Sequence, residues 1–353
     1  MAWADRHYPG KSIQRDSRFL LTTITFKIWE TDIMAIPGWQ RTDSPFHQGE
    51  RAIQERLGAL DQMDNFGRRI IREFLPEQHR QFYAQLSYFL VGTVDAAGNP
   101  WASILVGEPG FISTPNDHTL HIVAQPIYGD PLTKTLKVGS YIGFLGIELH
   151  TRRRNRVNGM VSNIGPDGFE VQVSQTFGNC PKYIQARQFN LVTFDPAVAK
   201  PLHTLTTLGE AERQVVLAAD TFFITTAYLD DAAGAGKGVD VSHRGGKPGF
   251  VRVDSDTLTV PDFAGNCHFN TFGNIEVNPR AGLLFIDFER GNLLYLTGRA
   301  EVVWDGDPEI EAYAGAERLF KFHLTQGIRV DGGLPLAWSQ PEYSRFLEQT
   351  GCW

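Results

Sequence analysis

The chain has 353 residues, enough for two sizeable cores, and its 35 Gly and 19 Pro point to many turns between short elements. A composition that is 42% hydrophobic and 21% charged excludes a disordered chain, while a net charge of −7 disfavours nucleic acid or an anionic membrane as a partner. No stretch approaches the roughly 18 unbroken apolar residues that a spanning helix needs.

Residues 1–45 are expected to form a loosely constrained extension. Its apolar stretch 19–26 is short, broken by threonines and lacks a small-residue cleavage site, which argues against a signal peptide and leaves Met34 as an alternative start. Residues 46–88 read as helical: Ile53, Leu57 and Leu60 share a face, and Pro76 suits the first position of a helix running through Phe82 and Leu86. From Tyr88 the pattern changes to short β-rich runs at 89–94, 101–106, 120–123, 141–147, 158–161 and 169–173, the first two joined by a hairpin at 95–100. Six such runs predict an antiparallel barrel or sandwich. A Pro-flanked linker follows at 195–201, then a helix at 209–219 and strands at 221–227, 239–242, 250–253, 257–260, 281–287 and 293–303. The intervening 230–237 segment reads as a flexible insertion, and a helix is expected at 308–322. Cys180, Cys267 and Cys352 are odd in number and far apart, so neither a disulfide framework nor a zinc site is expected and a reducing cytoplasm is the default location.

The chain repeats itself. Gly107-Glu108-Pro109-Gly110-Phe111 returns as Gly246-Lys247-Pro248-Gly249-Phe250, and the 139-residue offset that separates Phe111 from Phe250 also aligns Ser103 with Ser242 and Gly159 with Gly298. This is too long for a solenoid unit and suits a duplicated small barrel. The expected organisation is an extension at 1–45, a first domain at 46–194, a linker at 195–207, a second domain at 208–335 and a tail at 336–353.

The copies differ in polarity. His243 and Arg244 fall opposite Ile104 and Leu105, Asn270 and Thr271 opposite Pro131 and Leu132, and Asn274 opposite Thr135. Convergent donors of this kind suit a phosphate or another anion, with Arg giving a bidentate fork and a helix start giving backbone N–H groups. The plainer alternative is a polar strand edge beside a capped helix.

Val239-Asp240-Val241-Ser242-His243-Arg244-Gly245-Gly246-Lys247-Pro248-Gly249-Phe250, with Asn270-Thr271-Phe272-Gly273-Asn274-Ile275 and Asn278-Pro279-Arg280-Ala281-Gly282-Leu283, resembles the pyridoxamine 5′-phosphate oxidase-related, FMN-binding split-barrel family. Glu148-Leu149-His150-Thr151-Arg152-Arg153-Arg154-Asn155-Arg156 and Phe177-Gly178-Asn179-Cys180-Pro181-Lys182-Tyr183-Ile184 extend the likeness to a tandem subgroup. The resemblance implies a mainly β (α+β) chain of two tandem six-stranded antiparallel split β-barrels with flanking helices, arranged as an intramolecular pseudo-dimer. It implies one FMN between them, its phosphate held by Ser242, Arg244, Asn270 and Thr271, with His243 and Asn274 as neighbours. Arg154 or Arg156 would tune the reduced ring, and Lys182 and Tyr183 would lie over it as a lid. An FMN-dependent oxidoreductase follows, with a small-molecule substrate, NADH, NADPH or a reductase as electron donor, and a homodimer as a further level of assembly. Asn270 and Thr271 stand where the true oxidase is basic, which argues against pyridoxamine phosphate oxidation. The rival reading is a non-catalytic flavin or haem protein, with His243 or His268 as an axial ligand. Cys180 lacks a visible general base and reads as a small buried thiol, and His118 and His121 have the wrong spacing for a metal pair on a strand.

Overall fold

The helical stretch breaks into α1 (Gln48–Arg56), α2 (Leu60–Ile70) and α3 (Glu77–Ala84). Gly58, at φ 67°, follows the Leu57 C-cap of α1 and separates it from α2, and Pro76 is the N-cap of the third helix. The computed structural model describes residues 38–353 except Phe194, Pro196, Ala197 and Asp305. Most of the expected 1–45 extension, including the 19–26 stretch and Met34, lies outside the described residues, as does part of the linker.

Seven strands follow: β1 (Tyr88–Val94), β2 (Pro100–Val106), β3 (Ile112–Asn116), β4 (Thr119–Ile122), β5 (Tyr141–Glu148), β6 (Arg153–Ile164) and β7 (Phe169–Asn179), with the one-turn α4 (Leu132–Thr135) before β5. They form one antiparallel sheet in the order β2-β1-β5-β6-β7-β4-β3. After β8 (Phe189–Leu191), β9 (Leu202–Leu205) and α5 (Glu210–Ala218) come β10 (Thr221–Tyr228), β11 (Gly238–Gly245), β12 (Arg252–Asp254), β13 (Thr257–Phe263), α6 (Asn270–Val277), β14 (Arg280–Asp287), β15 (Asn292–Val303), α7 (Pro308–Glu311) and β16 (Ala316–Val330). Their order, β11-β10-β14-β15-β16-β13-β12, repeats that of the first sheet strand for strand, with β9 added on β16. Neither sheet closes on itself, and β17 (Leu336–Trp338) pairs only with β8.

The expected helix at 308–322 is corrected: one turn, Pro308–Glu311, forms at its start, the chain turns at Gly315 (φ 83°), and β16 begins at Ala316. Phe320, Phe322 and Leu324 alternate with Lys321, His323 and Thr325, a period of two that suits a half-buried strand. The first sheet has seven strands and the second eight, against the six expected of each. The 230–237 segment contains a 3-10 turn, Asp231–Gly236, started by the Asp230 carboxylate accepting the Ala232 N–H at 2.8 Å.

Each sheet covers its own apolar core, and a third lies between them, with Leu90, Ile104 and Leu145 meeting Phe223, Val241 and Leu284. Burying each such side chain contributes about 1.5–3 kcal/mol. Contact between the sheets is reciprocal. A Cβ on Gly143 would lie 2.1 Å from the Val239 carbonyl oxygen, and one on Gly282, a repeat later, 2.3 Å from that of Pro100. Only glycine lets the two backbones approach so closely there.

Candidate functional site

Strand pairing places the two copies of the motif in the same register. Ser103 lies opposite Val91 and Ser242 opposite Ile224, so both serines sit at one position of an edge strand. The helix that follows is tied back alike: the Thr93 and Thr135 hydroxyls are 2.6 Å apart, and the Asn274 amide donates to the Thr226 hydroxyl at 3.1 Å.

A cleft of about 210 Å³ opens beside β11, with walls from both sheets. From the first sheet and the segment after it come Arg154, Arg156, Lys182 and Tyr183. From the second come Ser242, His243, Arg244, Asn270 and Thr271. Arg318 and the carboxylates Asp262 and Glu317 complete the charged lining, so five cations face two anions.

Arg156 crosses from β6 to β11, donating to Asp240 at 3.0 Å and to the Ser242 hydroxyl. The Thr271 hydroxyl also donates to Ser242, at 3.0 Å. Arg244 is engaged by Asp262 and lies over the Phe272 ring at 4.7 Å. Arg318 approaches the other oxygen of Asp262 at 3.7 Å. Arg154 donates to the Cys180 carbonyl at 2.7 Å, while Lys182 and Tyr183 both donate to the Ala264 carbonyl, at 3.4 and 3.3 Å. The first copy's strand end is thereby strapped to a loop of the second.

Beneath the cleft lies a buried polar floor. His47 Nδ1 accepts the Gly49 N–H at 3.1 Å, so its Nε2–H donates to Asn274 Oδ1 at 3.0 Å. Asn274 Nδ2 then donates to Asp240 at 2.8 Å, and Asn158 donates to the same carboxylate at 2.9 Å. Asn274, expected beside the ligand, is therefore turned away from the cleft and fully used in the floor. Glu50 accepts the His47 N–H at 2.9 Å and a hydrogen bond from Asn270. Burial, reinforced by the nearby Asp240 charge, pushes Glu50 up to about 8.

Several buried donors in the cleft wall lack a partner: Arg156 Nε, Arg318 Nη1 and Asn179 Nδ2. His243 Nε2 is also unpartnered. Burial, with Arg154 and Arg244 alongside, holds His243 well below its usual range, so the ring is neutral. The N-cap of α6, Phe269, is left-handed at φ 59° and supplies no side-chain cap to the first-turn N–H groups. Buried polar groups are normally satisfied. A wall of surplus donors with an uncapped helix start fits an oxyanion.

Other candidates lie elsewhere. His268 is 1% exposed and packs among Phe46, Phe66 and Phe177 rather than facing the cleft. His118 and His121 bond separately, to the Glu73 carbonyl and the Ser113 hydroxyl. Cys180, expected to be buried, is instead half-exposed, because it follows the end of β7 and lines the cleft with its sulfur 3.7 Å from Arg154 Nη2. Sequence reasoning missed Asp240, Glu50, His47 and Arg318. Asp240 was legible as a charge two residues from Ser242 on one strand face, whereas Arg318 was hidden by the mistaken helix.

No family model matches the chain, and no curated protein does. Among solved structures, HupZ of Group A Streptococcus aligns at 17% identity over 33% of this chain and 89% of its own, with a TM-score of 0.26. The FAD binding protein of Mycobacterium smegmatis aligns at 16% identity over 36% and 99%, with a TM-score of 0.25. HutZ of Vibrio cholerae, a heme storage protein, aligns at 17% over 35% and 96%, with a TM-score of 0.24.

Proposed function

We propose that the chain is an FMN-binding flavoprotein oxidoreductase, built as two tandem split barrels in an intramolecular pseudo-dimer, with one FMN held between them. The observation that supports the reading is a cleft walled by both sheets in which Ser242, Thr271 and the uncapped start of α6 lie beside Arg156, whose Nε is unpartnered. Phosphate would sit among these groups. Bound FMN would supply the hydride or electron transfer. The chain's residues bind and orient: Phe250, Phe263 and Phe269 give the cleft apolar surface, and the Lys182–Tyr183 strap narrows access of water. His243 is neutral, its ring is buried against Phe223, and its Nε2 has no partner. A small-molecule substrate, an electron donor such as NADH, NADPH or a reductase, a cytoplasmic location and a chain–chain dimer belong to the same reading. Pyridoxamine phosphate oxidation does not, because neutral Asn270 and Thr271 occupy the helix start.

The unpartnered His243 Nε2 also keeps a haem reading in play, as an axial ligand. One experiment separates the two. The purified full chain, titrated with FMN, should retain one equivalent, bleach under an anaerobic reductant and recolour in air. A Soret band that depends on His243 would favour haem instead, and a chain that retains neither group would defeat both readings.

A further inference from the structure

The first copy contains a filled version of the cradle that the second leaves open. Asp130, 2% exposed, is the residue before the Pro131 cap of α4, and its carboxylate accepts the Leu132 N–H at 2.7 Å and the Ile104 N–H at 3.3 Å. The Tyr295 hydroxyl donates to it at 3.1 Å across the interface, and Ser103 lies beside it. Burial pushes Asp130 up to about 6, with these donors opposing the rise, so the group is an anion at neutral pH.

Each donor has a counterpart at the repeat offset. Leu132 corresponds to Thr271, Ile104 to His243 and Ser103 to Ser242. Tyr295 corresponds to Arg156: Leu145 pairs with Arg156 in the first sheet as Leu284 pairs with Tyr295 in the second. Both side chains reach across to the opposite copy, Tyr295 to Asp130 and Arg156 to Ser242. Only the anion lacks a counterpart. At the Asp130 position the second copy has Phe269, whose ring lies 5.0 Å from the Arg318 guanidinium. Arg156, 3% exposed, already spans Asp240 and the Ser242 hydroxyl and keeps an unpartnered Nε, while Arg244 is paired with Asp262 in the cleft lining.

Resting on the FMN reading, we infer that the FMN phosphate takes the place that the Asp130 carboxylate holds in the first copy. Its ligands are the Arg156 guanidinium, the Ser242 hydroxyl and the backbone N–H groups of His243 and Thr271. Arg156 is thus an anion ligand supplied by the opposite sheet. Arg244 is a positioning residue that fixes the Asp262 loop.

The test compares FMN with riboflavin, which has the same ring and no phosphate, by quenching of flavin fluorescence on the full chain. Arg156→Gln should weaken FMN binding about ten- to a hundredfold, the worth of a charge-assisted hydrogen bond, and leave riboflavin affinity unchanged. Arg156→Lys keeps a cation facing Asp240, so it reports even where the glutamine variant fails to fold, and it should lose FMN selectively as well. Arg244→Gln should cost FMN less than either. Equal loss of both flavins in the Arg156 variants, or a larger loss in Arg244→Gln, would overturn the assignment while leaving FMN binding intact. A wild-type chain that binds neither flavin would overturn the FMN reading and the assignment with it.

Discussion

Glu50 is an acid that the fold prefers neutral. It sits under the cleft with His47, Asp240, Arg156 and Asn270 around it, and its carboxyl is raised from 4.5 to about 8, first by burial and then by Asp240. A raised folded-state value means that the folded chain binds the extra proton. The stabilisation is full below 4.5 and is lost as pH rises towards 8. Urea midpoints across that window should fall, by a free energy on the order of 5 kcal/mol, and Glu50→Gln should flatten the decline. An unchanged slope in that variant would assign the titration to another group. Such a residue is hard to read from sequence, because Glu50 lies in an amphipathic helix where a carboxylate is normally solvated. Most donors of β11 and α6 were legible because their sister positions are apolar, and Asp240, opposite Trp101, could have been read in the same way; Glu50, on a helix ahead of the repeat, has no sister position to flag it.

At the scale of elements, the offset carried most of the information. Matching serines predicted matching strand positions, and pairing of Ser103 with Val91 and Ser242 with Ile224 agrees with that expectation. It was no guide at β16, where Pro308 suits a helix start, Leu319 and Phe322 stand three residues apart, and only Gly315 marks the change. Close packing at the interface was also invisible, since a glycine's neighbours across a fold leave no local trace. Gly143→Ala and Gly282→Ala should each destabilise by about 1–3 kcal/mol, because backbone carbonyls of the opposite sheet cannot move aside as a side chain can. Gly238→Ala, which meets nothing within 4 Å, is the control. Thermal unfolding of the three variants checks this, and a similar loss in all three would place the cost in the strand backbone rather than in the contact.

For the whole molecule, the two ends of the interface are unlike. One is the cationic cleft; the other is packed by Ile104, Val106, Ile286, Leu293, Leu334 and Leu336 around Tyr295. Ligand stoichiometry should therefore be one FMN per chain, measured as the ratio of released flavin to protein. A ratio of two would require the packed end to open.

Arg156 and Tyr295 occupy one position of a repeated strand order, yet one is a cation and the other a phenol. Two identical subunits related by a twofold axis could not differ there, since every substitution would appear at both ends of the interface. Joining the halves in one polypeptide removes that constraint. A change that improves packing at one end no longer harms ligand binding at the other, and each end is free to follow its own course of substitution.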